Sequence, residues 1–373
     1  MFQIQINNHI MKFSTQFLRC LTVALVGSFA AFSPTLLAQT TATTDPVGFI
    51  TLTVAGTGGT VANQLSFAGL SLTRTVEYQG SAESVSKATS GANTLTDNDA
   101  TWTDNQFNGA AGSYFVEITS GAAAGTTYDI SATTAATKTI TLVQDLANSI
   151  TNGAQIPALS FKIRKAWTIG AALGTSNPPE SGLQTGSAAT ADQVLLYNGA
   201  SYDTYFYSSG GLIGAGWRKQ GGGSTDQSGA KINPEQGVIV NRLQSANLSV
   251  VLMGAVKTGA TSTPVFPGLN FVSNIYAANM TLGSSSLYTD GTGATGVLPG
   301  SAATADTVQI YNGTSYDTYF YSSGGLIGAG WRKQGGGSAD QSGVALPVGV
   351  SVIVTRQGGT GFNWVAPQHP ATI

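Results

Sequence analysis

Two copies of one 24-residue segment carry aromatic and charged side chains that could bind a ligand. Residues 201–224 and 315–338 both read SYDTYFYSSGGLIGAGWRKQGGGS. Aromatic rings offer a large contact area for sugar rings, and tyrosine keeps a polar tip. A carbohydrate site often combines such rings with a pair of opposite charges. The candidate ligand-binding residues are therefore Tyr205, Trp217, Arg218 and Asp203, with their copies Tyr319, Trp331, Arg332 and Asp317.

The same segment has a second interpretation, in which its rings belong to a core. Strand alternation places Tyr202 and Phe206 on one face, and Tyr205 and Tyr207 on the other. A two-layer sandwich would bury both of these faces. The aspartate and the arginine of each copy could then pair across neighbouring strands, a contact that contributes under ~1 kcal/mol when exposed. The sequence alone leaves ligand contact and core packing both open.

A cluster of aspartates could hold a metal ion. Asp97, Asp99 and Asp104 alternate with asparagines in a short stretch, and calcium takes six to eight oxygen ligands. The glycine and terminal glutamate of an EF-hand loop are missing. The alternative is a turn in which aspartate and asparagine side chains bond to their own backbone.

Residues for covalent or zinc catalysis are scarce. After the export signal inferred below, the chain has no cysteine and a single histidine, His369. This composition excludes a zinc site of the His/Cys type, and a Ser-His-Asp arrangement would depend on that one histidine. Paired carboxylates for sugar hydrolysis stay open, because their spatial separation cannot be read from sequence. We expect a protein that is not an enzyme and has no cofactor.

Short alternating runs of Val, Ile, Thr, Tyr and Phe, separated by turn residues, predict strands almost throughout. In residues 193–208, Asn198-Gly199 predicts a two-residue hairpin turn. Leu195 becomes Gln309 in the second copy, so this position is predicted to face solvent. An N-terminal strand is predicted at Asp45–Val54, and it could pair with its own sheet or with the exposed edge of another copy.

The repeat determines the predicted domain organisation. It extends over residues 187–243 and 301–356, at an offset of 114 positions. Three six- or seven-residue strands, Tyr114–Thr119, Thr126–Ser131 and Thr137–Val143, predict a separate β-meander at about 80–160. The predicted fold class is all-β, with tandem β-sandwich or β-meander units. The predicted divisions are an export signal at 1–38, a first unit at 39–240 that contains the meander, and a second unit at 241–373.

The N-terminal residues predict export. Lys12 and Arg19 precede an apolar run, and cleavage is predicted after Ala38, whether translation starts at Met1 or Met11. We therefore expect an extracellular, cell-surface or periplasmic protein with no transmembrane span once the signal is removed. Residues 39–373 contain 14 Lys and Arg against 18 Asp and Glu, a net charge of −4, without a long basic stripe. This charge pattern argues against nucleic acid as a partner.

Several segments resemble a known protein family. They are DPVGFITL (residues 45–52), NQLSFAGLSL (63–72), TWTDNQF with YFVEITSGAAAG (101–125) and KIRKAWTIG (162–170). Together they are similar to a family of exported, β-rich bacterial proteins best known from Verrucomicrobia. The resemblance covers most of the chain after the signal. It implies export and shared ancestry, and it carries no activity and no binding residue.

These observations favour a non-enzymatic, exported structural or adhesive protein of the cell surface. The first alternative is a carbohydrate-binding protein whose aromatic sites are duplicated, and a more remote one is an exported glycoside hydrolase. The expected partners are other copies of the chain or surface glycans.

Overall fold

Antiparallel strands with short turns account for nearly all regular structure in the computed structural model, which describes residues 45–88, 92–108 and 112–368. Within these ranges the one α-helix is short, α1 (Ile169–Leu173). The strands are β1 (Val47–Val54), β2 (Gln64–Gly69), β3 (Val76–Ser86), β4 (Asn93–Thr96), β5 (Tyr114–Ile118), β6 (Thr127–Thr134), β7 (Thr139–Leu142), β8 (Gly153–Lys165), β9 (Trp167–Thr168), β10 (Gln193–Tyr197), β11 (Tyr202–Ser209), β12 (Ala215–Lys219), β13 (Lys231–Ile232), β14 (Gly237–Arg242), β15 (Leu248–Ala255), β16 (Thr261–Val265), β17 (Gly268–Ser273), β18 (Met280–Thr281), β19 (Thr307–Tyr311), β20 (Tyr316–Ser323), β21 (Ala329–Lys333), β22 (Ala345–Leu346), β23 (Ser351–Arg356) and β24 (Phe362–Ala366).

Strands β1, β2 and β9–β15 form the first sandwich. Its larger sheet has the order β12-β11-β10-β14-β2, and β1 pairs with β15 in a two-stranded sheet beside it. Alternation sends every second side chain of both sheets into one core. That core contains Ile50, Leu52, Val194, Leu196, Tyr205, Tyr207, Trp217, Val238, Val250 and Leu252.

The nine strands from β16 to β24 form the second sandwich. Its larger sheet has the order β17-β23-β19-β20-β21, and β16 pairs with β24 in a separate two-stranded sheet. Its central hairpin has the same register as that of the first sandwich, since Val308 lies opposite Tyr319 as Val194 lies opposite Tyr205. Its core contains Val308, Tyr319, Trp331, Val352, Val354, Phe362 and Trp364.

Strands β3–β8 close into a barrel, in the order β3-β4-β7-β6-β5-β8. Polar and apolar side chains alternate along much of these strands, so a closed sheet can fill its own interior with the apolar ones. The filling side chains include Leu95, Val116, Ile118, Ile140, Phe161 and Ile163. The barrel is inserted between β2 and β9, whereas residues 274–279 make the matching connection between β17 and β18.

The two larger sheets pack face to face across Phe67, Ile239, Phe271 and Ile353. Gly69 and Gly237 lie opposite each other on β2 and β14. A Cβ on Gly237 would lie 2.6 Å from the Cβ of Ser351, and one on Gly69 would lie 2.6 Å from the Cβ of Ser273. The close approach of the sheets therefore requires glycine at both positions.

A chain of buried charges ties the barrel to its surroundings. Arg164 Nε donates to Glu117 Oε2 over 2.8 Å, and the Arg164 guanidinium also bonds to Asp45. Lys257, on the segment between the sandwiches, pairs with the other oxygen of Glu117. Burial by itself would raise the pKa of Glu117, but Lys257 and Arg164 hold it below its ordinary value. The charges are therefore paired, as burial demands.

Three local features differ from the sequence predictions. Residues 248–255, predicted for the second unit, pair with β1 and belong to the first sandwich. The Asn198-Gly199 turn is a four-residue loop, because the Asn198 side chain accepts from the N–H groups of Ala200 and Ser201. Leu195, predicted to face solvent, is half-buried against the core between the sheets.

Candidate functional site

The aromatic candidate residues of the repeated segment, Tyr205, Trp217, Tyr319 and Trp331, lie in the two sandwich cores. Trp217 is 1% exposed, its indole N–H donates to Gly174 O over 2.7 Å, and its ring meets Tyr207 edge to face. Trp331 is 3% exposed, and Tyr205 and Tyr319 are also buried. In this structure neither indole offers a free face for a sugar ring.

Arg218 and Arg332 hold the turns that precede them. Arg218 donates from Nε to Ile213 O, from Nη1 to Trp217 O and from Nη2 to Ala215 O, over 2.9, 2.8 and 3.0 Å. Arg332 makes the three equivalent bonds in the second sandwich. Both guanidinium groups are buried, so backbone carbonyls use the donors that a ligand would need.

Asp203 and Asp317 pair with lysines rather than with the neighbouring arginines. Asp203 lies 2.8 Å from Lys219 Nζ, and Asp317 lies 2.9 Å from Lys333 Nζ. The register explains the partner, because Lys219 lies opposite Tyr205 and therefore shares a face with Asp203. The hydrogen bond from Lys219 lowers the pKa of the Asp203 carboxyl.

Each arginine-held turn presents one fully exposed leucine. Leu212 and Leu326 are the most exposed large apolar residues of the described part of the chain. The turn depends on glycine, since Gly211 and Gly214 have φ values of 79° and 73°. The repeated segment therefore exposes its leucine and buries the rings of Tyr205, Trp217 and their copies.

The aspartate cluster forms turns. Asp97 is buried, accepts from the Tyr78 hydroxyl over 2.7 Å and accepts from the backbone N–H of Asp99 over 3.0 Å. Asp104 accepts from the N–H of Ala135 over 2.6 Å. Within residues 45–88, 92–108 and 112–368, no group of three or more His, Cys, Asp or Glu is placed to hold a metal ion.

The predicted export signal at 1–38, its cleavage position at Ala38 and the histidine at 369 lie outside the described residues. No helix in the described ranges is both long enough and apolar enough to cross a membrane.

The outward face of β1–β15 carries an apolar patch, here called the β1–β15 patch. It consists of Val47, Phe49, Val251 and Met253, which are 72%, 71%, 58% and 74% exposed. Phe49 lies directly opposite Met253, so their side chains are neighbours. Contiguous exposed apolar side chains of this kind mark interaction surfaces in soluble proteins.

A groove of about 550 Å³, here called the junction groove, lies where the barrel meets both sandwiches. The barrel contributes Phe115, Thr127, Asp129 and Gln144; the first sandwich contributes Tyr197, Gly199 and residues 231 and 233–236; the second contributes residues 263, 264, 266, 267 and 269–272. The barrel and both sandwiches therefore build one concave surface.

Glu235 is the ionisable group with the most unusual environment in the groove. Its side chain is buried, and its Oε1 lies 3.4 Å from the Thr127 hydroxyl. Burial raises its pKa from 4.5 to about 7, against the attraction of Lys257 and Lys231. At neutral pH this carboxyl is therefore protonated in a large fraction of molecules and can donate a hydrogen bond.

Sequence patterns gave little indication of either surface. In Val47–Val54, apolar residues occupy both odd and even positions. Val47 and Phe49 lie on one face of the strand, and Ile50 and Leu52 lie on the other. That signal could have identified the β1–β15 patch. The junction groove had no equivalent signal, because its walls come from residues more than a hundred positions apart.

Comparison of the chain with protein-family models, curated proteins and solved structures found no match.

Proposed function

We propose that the protein is a non-enzymatic structural or adhesive protein, exported to the cell surface, that associates with a second copy of itself through the β1–β15 patch. The observation that carries the proposal is the exposure of four large apolar side chains on one regular sheet face. Water contact with this surface is unfavourable, and a matching surface on another copy would remove it.

The exposed residues are not a requirement of the sandwich fold. The corresponding sheet of the second sandwich, β16–β24, carries Pro264 and Asn363 in its exposed positions, beside Val365. β15 is also three residues longer than β24, and Met253 lies in that additional part. The first sandwich therefore has an apolar patch on this sheet that the corresponding sheet of the second sandwich lacks.

The size of the patch suits a weak dimer. Full burial of a Val, Phe or Met side chain contributes roughly 1.5–3 kcal/mol. Association costs about 4–15 kcal/mol in lost translational and rotational freedom. A two-fold contact between two identical patches therefore leaves a modest surplus and closes at two copies. A dimer would also double the number of ligand contacts of an adhesive protein and so raise its avidity.

The experiment is sedimentation equilibrium over a wide concentration range. We expect the mass of residues 39–373 to rise towards twice the monomer mass with concentration. The double variant Phe49→Thr with Met253→Thr should stay monomeric. Threonine favours strands, so both substitutions are compatible with the sheet. Val365→Thr, on the counterpart sheet, is the matched control and should behave as the unmodified protein. Circular dichroism checks that all three proteins are folded.

A strictly monomeric unmodified protein, or a dimer that the double variant leaves unchanged, would contradict the role of the patch. Export is tested separately, by antibody detection of the protein on intact cells. Retention of the protein in the cytoplasm would contradict the surface location.

A further inference from the structure

The ionic groups of the junction groove neutralise one another. Lys231 pairs with Asp129, and Gln144 Nε2 donates to Asp129 Oδ2 over 3.1 Å. The remaining acid of the groove lining is Glu235. Lys257 and Lys231 attract its charged form, and the nearby acid Glu117 repels it. The one lysine of the groove lining is therefore paired with an aspartate, and burial raises the pKa of the remaining acid, Glu235, to about 7, so the groove carries little net charge to favour an anionic or a cationic ligand.

One aromatic ring of the groove lining is exposed, and hydrogen bonds fix the backbone that carries it. Phe266 is 64% exposed. Asn270 accepts from the backbone N–H of Phe266 over 2.8 Å and donates to its carbonyl over 2.7 Å. Pro267 follows directly and fixes its own φ. The ring is thus presented by a rigid turn, which lowers the entropy cost of binding to it.

Hydrogen-bonding groups line the same groove as Phe266. Glu235 supplies a carboxyl, and the exposed Asn233 supplies an amide with both donors and acceptors. The combination of an apolar platform with uncharged donors and acceptors is what a sugar ring requires, since its faces are apolar and its edges carry hydroxyl groups.

We propose that the junction groove binds a neutral oligosaccharide, with one sugar ring on Phe266 and its hydroxyl groups on Glu235 and Asn233. This site includes Tyr197 and Gly199 from the end of the first duplicated hairpin, but not the buried rings of Tyr205 and Trp217, and it contains no residue of the β1–β15 patch. The proposal does not depend on dimer formation, and either one can fail without the other.

The test is isothermal titration calorimetry of residues 39–373 with four hexasaccharides. Cellohexaose, xylohexaose and mannohexaose are the neutral probes, and hexagalacturonate is the anionic comparison. We expect saturable binding of at least one neutral probe and weaker binding of the galacturonate. Phe266→Ala should weaken binding of that neutral probe about tenfold, equivalent to ~1.4 kcal/mol. Asn233→Ala should weaken it less.

Leu326→Ala is the matched control, because Leu326 is as exposed as any apolar residue and lies on a hairpin turn outside the groove. It should leave the affinity unchanged. Three results would overturn the proposal: no saturable binding of any neutral hexasaccharide, preference for the galacturonate, or binding that Phe266→Ala does not alter. Thermal melting of each variant separates a lost contact from a lost fold.

Discussion

Replacing Glu235 by glutamine should make the protein more stable, and the gain should depend on pH. The folded protein holds the proton of Glu235 up to about pH 7, whereas an unfolded chain releases it near 4.5. Between these values the folded state binds more protons than the unfolded state, so stability falls as the pH rises. Glutamine is neutral at every pH and does not impose this loss.

The magnitude follows from the pKa difference. Each unit of difference between folded and unfolded pKa values corresponds to ~1.4 kcal/mol, so the change from 4.5 to about 7 corresponds to about 3 kcal/mol. We therefore expect the stability advantage of Glu235→Gln over the unmodified protein to be smallest below about pH 4.5 and to grow by about 3 kcal/mol by roughly pH 8.

The assay is urea unfolding of both proteins at a series of pH values, with the difference in unfolding free energy taken at each pH. Lys257, Lys231, Glu117 and Asp129 also carry charge near this site, but they are present in both proteins, so their contributions largely cancel in the difference. Glu77→Gln, on an exposed position of the barrel, is the control and should shift stability by under ~0.5 kcal/mol. A difference for Glu235→Gln that stays flat across this range would refute the assigned pKa.

Three further substitutions test buried contacts of the two sandwiches. Asp192→Asn removes the charge that pairs with buried Arg242 at 2.6 Å, and Asp306→Asn does the same to Arg356. Chemical denaturation should show a loss of about 3–5 kcal/mol of unfolding free energy in each case. A loss under ~1 kcal/mol in either variant would contradict the importance of the pair. Trp217→Ala should cost about 3–5 kcal/mol of unfolding free energy, with a smaller loss in Trp217→Phe. An alanine variant of unchanged stability would contradict the role of Trp217 in the core.

The prediction of an all-β fold is confirmed. It succeeded because alternation and turn residues are local signals, and they recur along the whole chain. The three short strands predicted between Tyr114 and Val143 correspond to β5, β6 and β7, with small differences at their ends. Closure of these strands into a barrel depends on β3 and β8, whose pairing partners lie far away in the sequence.

The candidate sites show where sequence reasoning reaches its limit. Two aromatic faces on β11 fit either ligand contact or burial between two layers, and only the second sandwich, docked on the Tyr202 side, decides between them. The pairing of Asp203 with Lys219 follows from a register that the composition of the segment cannot supply. Glu235 looks like an ordinary loop glutamate in the sequence, and its environment is created by residues of the barrel and of the segment at Lys257.

The pairing of β1 with β15 also imposes an order on folding. The six barrel strands are contiguous between Val76 and Lys165, so the barrel can close as soon as this stretch is available. β1 must wait, since Thr51 meets Val251 two hundred residues further along the chain, and closing so long a loop costs entropy. Until Leu248–Ala255 arrives, the first strand has free edges and apolar residues on both faces. The interval between barrel closure and arrival of β15 is therefore when a newly made chain is most prone to join the wrong strand.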